Sequence, residues 1–170
     1  EKELPKLVPN YSNINCWAAH PNKFDYSDFL PKNLKNDSLI LIQGGRKTGY
    51  IYNVYNDRIT ELIGHQSDLS SIDCDNTGTK IATCGVSSEL IIWSVNGTII
   101  KKISDVQTPE KAMFSPNGES LVTISSGSSE ARIWDCSDSG LSVIKELTLH
   151  TKLPWAIVVD TIKHRIYTSG

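Results

Sequence analysis

Short apolar runs separated by glycine turns follow one another in a fixed order along this chain. In the strand LSSIDC, the apolar residues Leu69, Ile72 and Cys74 are set among polar ones, which is typical of a strand with one buried face. The short runs KIATC and LIIW that follow are rich in β-branched residues. Between the first two strands, Gly78 of NTG can take the positive φ that a tight hairpin turn needs. The pattern predicts short antiparallel strands.

The same order of strands and turns recurs. CDNTGTKIATCG aligns with FSPNGESLVTIS, ELIIWS aligns with EARIWD, and Trp93 and Trp134 lie 41 residues apart. A weaker upstream copy, with Tyr55-Asn56 in place of Trp-Ser, holds an insertion at about residues 22–37, and a last copy stops after IYTSG. No segment has a sustained helical period. We predict an all-β chain of four-stranded antiparallel blades at about residues 10–60, 61–100 and 101–145, with an incomplete blade at 146–170.

The period, the Gly64-His65 pair and the closing pairs Trp93-Ser94 and Trp134-Asp135 resemble WD40 repeats. The resemblance covers the chain from about Ile14 to Gly170 and implies about three and a half blades of a WD40-type β-propeller. Similar proteins usually close seven blades into a ring. The resemblance therefore predicts either that residues 1–170 are a piece of a longer propeller or that a second chain supplies the missing blades.

Repeats of this family often carry a buried tetrad of His, Ser or Thr, Asp and Trp. The resemblance implies that His65, Thr83 and Trp93 fill three positions, whereas the Asp position falls on Ser87 and the next copy has Asp105 where His is expected. The tetrads are therefore expected to be incomplete. The corresponding structural positions in the later copies are Trp134, His150 and Thr168.

Composition and charge exclude several function classes. With 39% hydrophobic and 21% charged residues the chain is predicted to be globular, and its net charge of -2 gives no indication of a DNA or RNA partner. The start EKELPKLVPN lacks the layout of a signal peptide. The four cysteines have no CxxC spacing, so reduced thiols and a cytoplasmic or nuclear location are expected. No catalytic motif, metal-ligand set, cofactor or small-molecule substrate is indicated.

The predicted function is a non-enzymatic scaffold that binds other proteins through the loops of a rigid propeller, as the resemblance implies. Those loops are expected at 44–49, 63–67, 85–88, 126–129 and 149–152. GGRKTG does not fit a phosphate-binding Walker loop, because it lies between two strands and no helix follows. Arg46, Lys47 and Lys152 are instead predicted to face partner proteins.

Two alternatives stay open. Propellers of the PROPPIN group, which are similar to WD40 proteins, bind membrane phosphoinositides through a Phe-Arg-Arg-Gly or Leu-Arg-Arg-Gly motif. Here the corresponding place holds Lys101-Lys102, which lacks the forked donors of arginine and has no trailing glycine. The second alternative is a non-catalytic subunit of an RNA-processing or translation complex.

Overall fold

The structure of the chain is a computed structural model. It describes residues 6–8, 16–20, 39–43, 47–53, 58–75, 77–104, 106–115, 117–125, 127–137, 142–148, 152, 154, 156–160 and 165–169. Up to residue 43 and at residue 159 the backbone alone is described. The predicted positions Arg46 and His150 lie outside the described residues.

All regular elements of the described residues are β-strands. They are β1 (Lys6–Val8), β2 (Cys16–His20), β3 (Leu39–Gln43), β4 (Thr48–Asn53), β5 (Arg58–Ile63), β6 (Leu69–Cys74), β7 (Lys80–Gly85), β8 (Glu89–Ser94), β9 (Ile99–Ile103), β10 (Pro109–Phe114), β11 (Ser120–Ser125), β12 (Glu130–Asp135), β13 (Ser142–Thr148), β14 (Ala156–Asp160) and β15 (Arg165–Ser169). No helix able to cross a membrane occurs in this part of the chain.

The strands form four sheets that follow one another along the chain. The first contains β1 to β5, the second β6 to β9, the third β10 to β13 and the last β14 and β15. In each sheet, strands that are consecutive in the chain are neighbours. The prediction of an all-β, partial propeller is confirmed.

The first sheet departs from the predicted blade in two respects. It has five strands, and β2 pairs with β3 in parallel, with Cys16 opposite Leu39, whereas the other described pairs are antiparallel. A parallel pair needs a crossover of a dozen or more residues, because the chain must return to the end at which it started. Residues 21–38, which include the predicted insertion, are enough for such a crossover.

The sheets stack face to face in chain order. Strand β6 lies against β3 of the first sheet, β10 against β6 and β7, and β14 against β10. In the second to fourth sheets the first strands β6, β10 and β14 are thus neighbours in turn, whereas the last strands β9 and β13 are largely exposed. This is the arrangement of consecutive propeller blades.

Apolar clusters fill the space between each sheet and the next. The first cluster contains Ile51, Leu62, Ile72, Cys74, Ile81, Ile91 and Trp93. The second contains Ala82, Cys84, Leu90, Ile92, Val106, Ala112, Phe114, Leu121, Trp134 and Cys136. The third contains Val122, Ile124, Ala131 and Ile157. The strand β7 contributes to two of them, since Ile81 faces the first sheet while Ala82 and Cys84 face the third. Because both faces of the central sheet are covered, its strands are nearly continuous apolar runs.

A β-bulge explains the spacing of apolar residues in β6. Leu69 and Ile72 are three residues apart, which in a regular strand would place them on opposite faces. The pairing with β7 shifts between Leu69 and Ser71, and both apolar side chains then approach the same residue of the first sheet, Gly49. The third sheet repeats this bulge between Pro109 and Lys111.

The expectation of reduced thiols is wrong for Cys74 and for the cysteine bonded to it. Cys74 is disulfide-bonded, and its partner lies outside the residues whose side chains are described. Cys84 and Cys136 are free and buried. Burial raises the pKa of Cys84 and raises that of Cys136 to about 11, because the thiolate loses its hydration. These two thiols are therefore protonated and unreactive near neutral pH.

Candidate functional site

Described residues that follow the odd-numbered strands β3 to β13 lie at one end of the stacked sheets. They are residues 47, 64–68, 86–88, 104, 106–108, 127–129, 152 and 154. They overlap the partner loops predicted at 44–49, 63–67, 85–88, 126–129 and 149–152, and they add the loop after β9. We call this end the upper face, and the opposite end, with residues 75, 77–79, 95–98, 115 and 117–119, the lower face. Successive connections of antiparallel strands alternate between the two ends of a sheet, which explains the grouping.

Hydrogen bonds join neighbouring loops of the upper face. The backbone N–H of Val86 donates to the carbonyl of Asp68 at 2.9 Å, and the N–H of Val106 donates to the carbonyl of Ser88 at 3.0 Å. The N–H of Ser87 also donates to a side-chain hydroxyl of the preceding loop at 2.9 Å. The loops of the second sheet are thus held by those before and after them.

Two residues of these loops have an uncommon backbone conformation. Ser88 has φ of 68° and Thr108 has φ of 40°, although neither is glycine. The hydroxyl of Ser88 accepts the N–H of Thr108 at 3.3 Å, which links the two strained residues. Strain of this kind persists only where the surroundings enforce it, and it often occurs at functional sites.

A buried hydrogen-bond network supports the upper face from below. His65 Nε2 lies 2.6 Å from the hydroxyl of Thr83, and the indole N–H of Trp93 donates to the same hydroxyl at 2.6 Å. His65 closes the loop before β6, Thr83 lies in the middle of β7 and Trp93 in β8. Gly85 is required beside them, because a Cβ there would lie 2.7 Å from His65 Nδ1. The structure thus brings three predicted tetrad residues together.

The fourth member of the network is Glu89, and the expectation that the tetrad is incomplete at Ser87 is wrong. Glu89 is 4% exposed, and its Oε2 lies 3.2 Å from His65 Nδ1, while Ser87 is exposed. Glutamate is one methylene longer than aspartate, so it reaches the histidine from the first position of β8 rather than from the preceding turn. An alignment that looks for aspartate in the turn misses it.

Lys102 extends the network beyond the four expected residues. Its ammonium lies 2.7 Å from Glu89 Oε1 and donates to the carbonyl of Gly64 at 2.8 Å. The other carboxylate oxygen of Glu89 accepts the backbone N–H of Gln66 at 2.8 Å. Glu89 and Lys102 together hold the backbone on both sides of His65. Spacing alone did not indicate this pair, because its members lie on different strands.

Burial, nearby charges and hydrogen bonds together determine the protonation states of His65 and Glu89. Burial lowers the pKa of His65 below its ordinary value of 6.5, and the charge of Lys102 acts in the same direction, against the attraction of Glu89. Burial opposes ionisation of Glu89, but bonds from Lys102 and Gln66 N–H hold its pKa below 4.5. A neutral His65 donates through Nδ1 to Glu89, so Nε2 accepts from Thr83.

The order Thr83, His65, Glu89 is that of a nucleophile, a base and a residue that orients the base. Thr83 is 0% exposed, however, and its oxygen already accepts the indole N–H of Trp93. A substrate has no access to this hydroxyl, so the network is structural. The described residues also contain no group of three side chains able to hold a metal ion.

The third sheet keeps only part of this network. The indole N–H of Trp134 donates to the hydroxyl of Thr123 at 2.9 Å, and both residues are buried. Glu130, which corresponds to Glu89, is half-buried, and its carboxylate lies 3.9 Å from Arg132. Asp105, where a histidine is expected, lies outside the described residues.

The remaining predicted residues are dispersed. Lys47 and Lys152 are exposed on the upper face. Lys101 is exposed on β9, whereas Lys102 next to it is engaged by Glu89. Thr168 is half-buried in β15 and pairs with Ile157 of β14.

Comparison with known proteins identifies the repeat and the fold. Residues 56–94 match the family "WD domain, G-beta repeat", and they include His65, Thr83, Glu89 and Trp93. This segment therefore matches a WD40 repeat, and the chain has the fold of a β-propeller. A search of the curated proteins gave no match to the chain.

A solved structure supports the fold over most of the chain. The chain is similar to the β-propeller domain of Cps50 (Swd1) from Myceliophteria thermophila, with a TM-score of 0.61 and 14% sequence identity. The similarity covers 71% of this chain and 42% of the Cps50 domain, so the chain matches less than half of that neighbour. At this identity the likeness establishes the fold alone.

Proposed function

We propose that this chain is a non-catalytic scaffold that binds partner proteins through its upper face, as part of a larger complex. The observation that carries the proposal is the linkage of the upper-face loops by hydrogen bonds, above a buried network that holds the loop containing His65. Loops that are ordered before binding lose little conformational entropy when a partner docks. WD40 propellers typically bind other proteins, which agrees with this use of the face.

The phosphoinositide alternative gains no support from the described contacts. A phosphate needs free cationic donors, but the Lys102 ammonium already bonds to Glu89 and to the Gly64 carbonyl. Lys101 alone would then offer a point charge. Flotation with liposomes that contain phosphoinositides tests this alternative, and binding abolished by Lys101→Glu would favour it over the scaffold. A role in an RNA-processing or translation complex is one form of the scaffold proposal.

The scaffold proposal is tested by capture of partners with matched variants. The tagged chain is used to purify bound proteins from its source cell, beside Lys47→Glu on the upper face and Glu119→Lys on the lower face. Both changes reverse the charge of an exposed residue, and such changes alter stability by less than about 0.5 kcal/mol. We expect proteins that co-purify with the unmodified chain and with Glu119→Lys but bind the upper-face variant more weakly, with a loss that depends on salt.

Two results would contradict the proposal. Recovery of the same proteins on both variants, with Lys152→Glu also without effect, would show that the upper face is not the binding surface. Recovery of no specific protein by the unmodified chain would remove the scaffold function itself.

A further inference from the structure

Two exposed aliphatic side chains lie on the upper face, on either side of His65. Ile63 is 68% exposed and Val86 is 55% exposed. Ile63 precedes His65 by two residues, and Val86 follows Gly85, whose backbone packs against the imidazole of His65. Both residues are therefore close to His65, Ile63 along the chain and Val86 through Gly85, and we call them the Ile63–Val86 patch.

The backbone beneath the patch is held in place at both ends. The carbonyl of Gly64, the residue after Ile63, accepts from the Lys102 ammonium at 2.8 Å. The N–H of Val86 donates to the carbonyl of Asp68 at 2.9 Å. Exposed apolar side chains on a fixed backbone are suited to bind a partner, because water is released without the loss of much chain entropy.

Opposite charges flank the patch. Lys47 is exposed and precedes Thr48, which pairs with Ile63 across β4 and β5. Asp68 is exposed and is bonded through its backbone to Val86. Neither Lys47 nor Asp68 joins an ion pair with another described residue. The order across the surface is a cation, two apolar side chains and an anion.

We infer that the Ile63–Val86 patch binds a peptide segment of another protein in which a large apolar side chain lies between a carboxylate and a cationic side chain. The apolar side chain packs on Ile63 and Val86, the carboxylate meets Lys47 and the cation meets Asp68. The inference rests on the proposed scaffold function and names the chemistry of the partner. The charge pattern sets the direction in which the peptide binds, and the apolar pair supplies most of the affinity.

The probe for this inference is a phage library of random twelve-residue peptides, selected on the chain. We expect selected peptides to share a large apolar residue with an acidic residue on one side and a basic one on the other. Synthetic peptides of that sequence are then titrated against variants by fluorescence anisotropy. Ile63→Ser and Val86→Ser should each raise Kd by about tenfold or more, as is usual for central contacts of an interface.

A matched control and a charge exchange make the test specific. Ile144→Ser removes an isoleucine that is 58% exposed on β13, away from the upper face, and should leave Kd unchanged. Lys47→Asp/Asp68→Lys should weaken the original peptide and favour one whose charges are exchanged. Circular dichroism verifies that each variant folds, and Val86→Thr replaces Val86→Ser if that variant does not.

Three outcomes would overturn the inference. They are a library that yields no peptide, peptides without an apolar residue, and peptides whose Kd is insensitive to Ile63→Ser and Val86→Ser. Self-association of the chain that Ile63→Ser abolishes would also overturn it, since a second copy would then occupy the patch. Partner proteins that still require the upper face in any of these cases would leave the scaffold proposal standing.

Discussion

Replacement of Glu89 by alanine tests whether this residue completes the buried network. Its carboxylate accepts from His65 Nδ1 at 3.2 Å, from Gln66 N at 2.8 Å and from Lys102 Nζ at 2.7 Å. In Glu89→Ala the His65 and Gln66 donors lose their acceptor within the fold. A buried donor left without a partner costs roughly 1–3 kcal/mol.

The expected loss follows from these contacts. The Lys102 side chain is 29% exposed, so its ammonium can turn towards water, and its bond adds little to the loss. The His65 donor is buried and the Gln66 donor is only partly buried, so we expect Glu89→Ala to lower the free energy of unfolding by about 2–3 kcal/mol. Glu89→Gln, which keeps one acceptor oxygen, should lose about half as much.

Equilibrium unfolding in guanidinium chloride, followed by tryptophan fluorescence, measures both losses. Trp93 is one of four tryptophans in the chain, and its ring centroid lies 6.3 Å from that of His65, so part of the signal reports on the network. Ser87→Ala is the matched control, because Ser87 is exposed and bonds through its backbone N–H, and it should change stability by less than about 0.5 kcal/mol. A loss in Ser87→Ala as large as in Glu89→Ala, or no loss in Glu89→Ala, would refute the assignment.

Three further predictions concern the core, the pH dependence and the last sheet. Trp93→Ala and Trp134→Ala should each lower the free energy of unfolding by about 3–5 kcal/mol in the same assay. The larger loss is expected at Trp93, because the hydroxyl that accepts its indole N–H is also bonded to His65. A variant that unfolds like the unmodified chain but no longer binds partners would show that the tryptophan is a ligand contact instead. Because the pKa of His65 is lowered in the fold, the unfolded chain takes up this proton first as the pH falls, so stability should decline below about pH 6.5 in thermal melts between pH 8 and 5. His65→Gln should flatten that decline, and a slope equal to that of the unmodified chain would show that another group titrates. Val158 and Tyr167, which pair across β14 and β15, are 59% and 49% exposed, so residues 1–170 alone should self-associate in light scattering, and a monomer that melts cooperatively would contradict this.

The sequence by itself determined the order of strands and turns in the second and third sheets. Their strands are specified by local apolar runs and their turns by glycines such as Gly78 and Gly118, which have φ of 69° and 68°. Both are local properties, which a short window of sequence contains. Because antiparallel connections alternate between the two ends of a sheet, the grouping of the partner loops on one face follows from the same information. The resemblance to the repeat family identified His65, Thr83 and Trp93, because these residues stand at the positions of the family's tetrad.

Only the tertiary structure revealed the role of Glu89, the engagement of Lys102 and the parallel pairing of β2 with β3. Glu89 meets His65 across 24 positions of sequence, and a position-by-position alignment cannot show that a longer side chain reaches the histidine from a different site. Lys102 reads in the sequence as a solvated lysine, but the fold places its ammonium beside a buried carboxylate. The pairing of β2 and β3 depends on the path of a long connection, which no local pattern encodes. In each case the deciding interaction joins residues that are distant in the chain, and it exists only after the strands have packed.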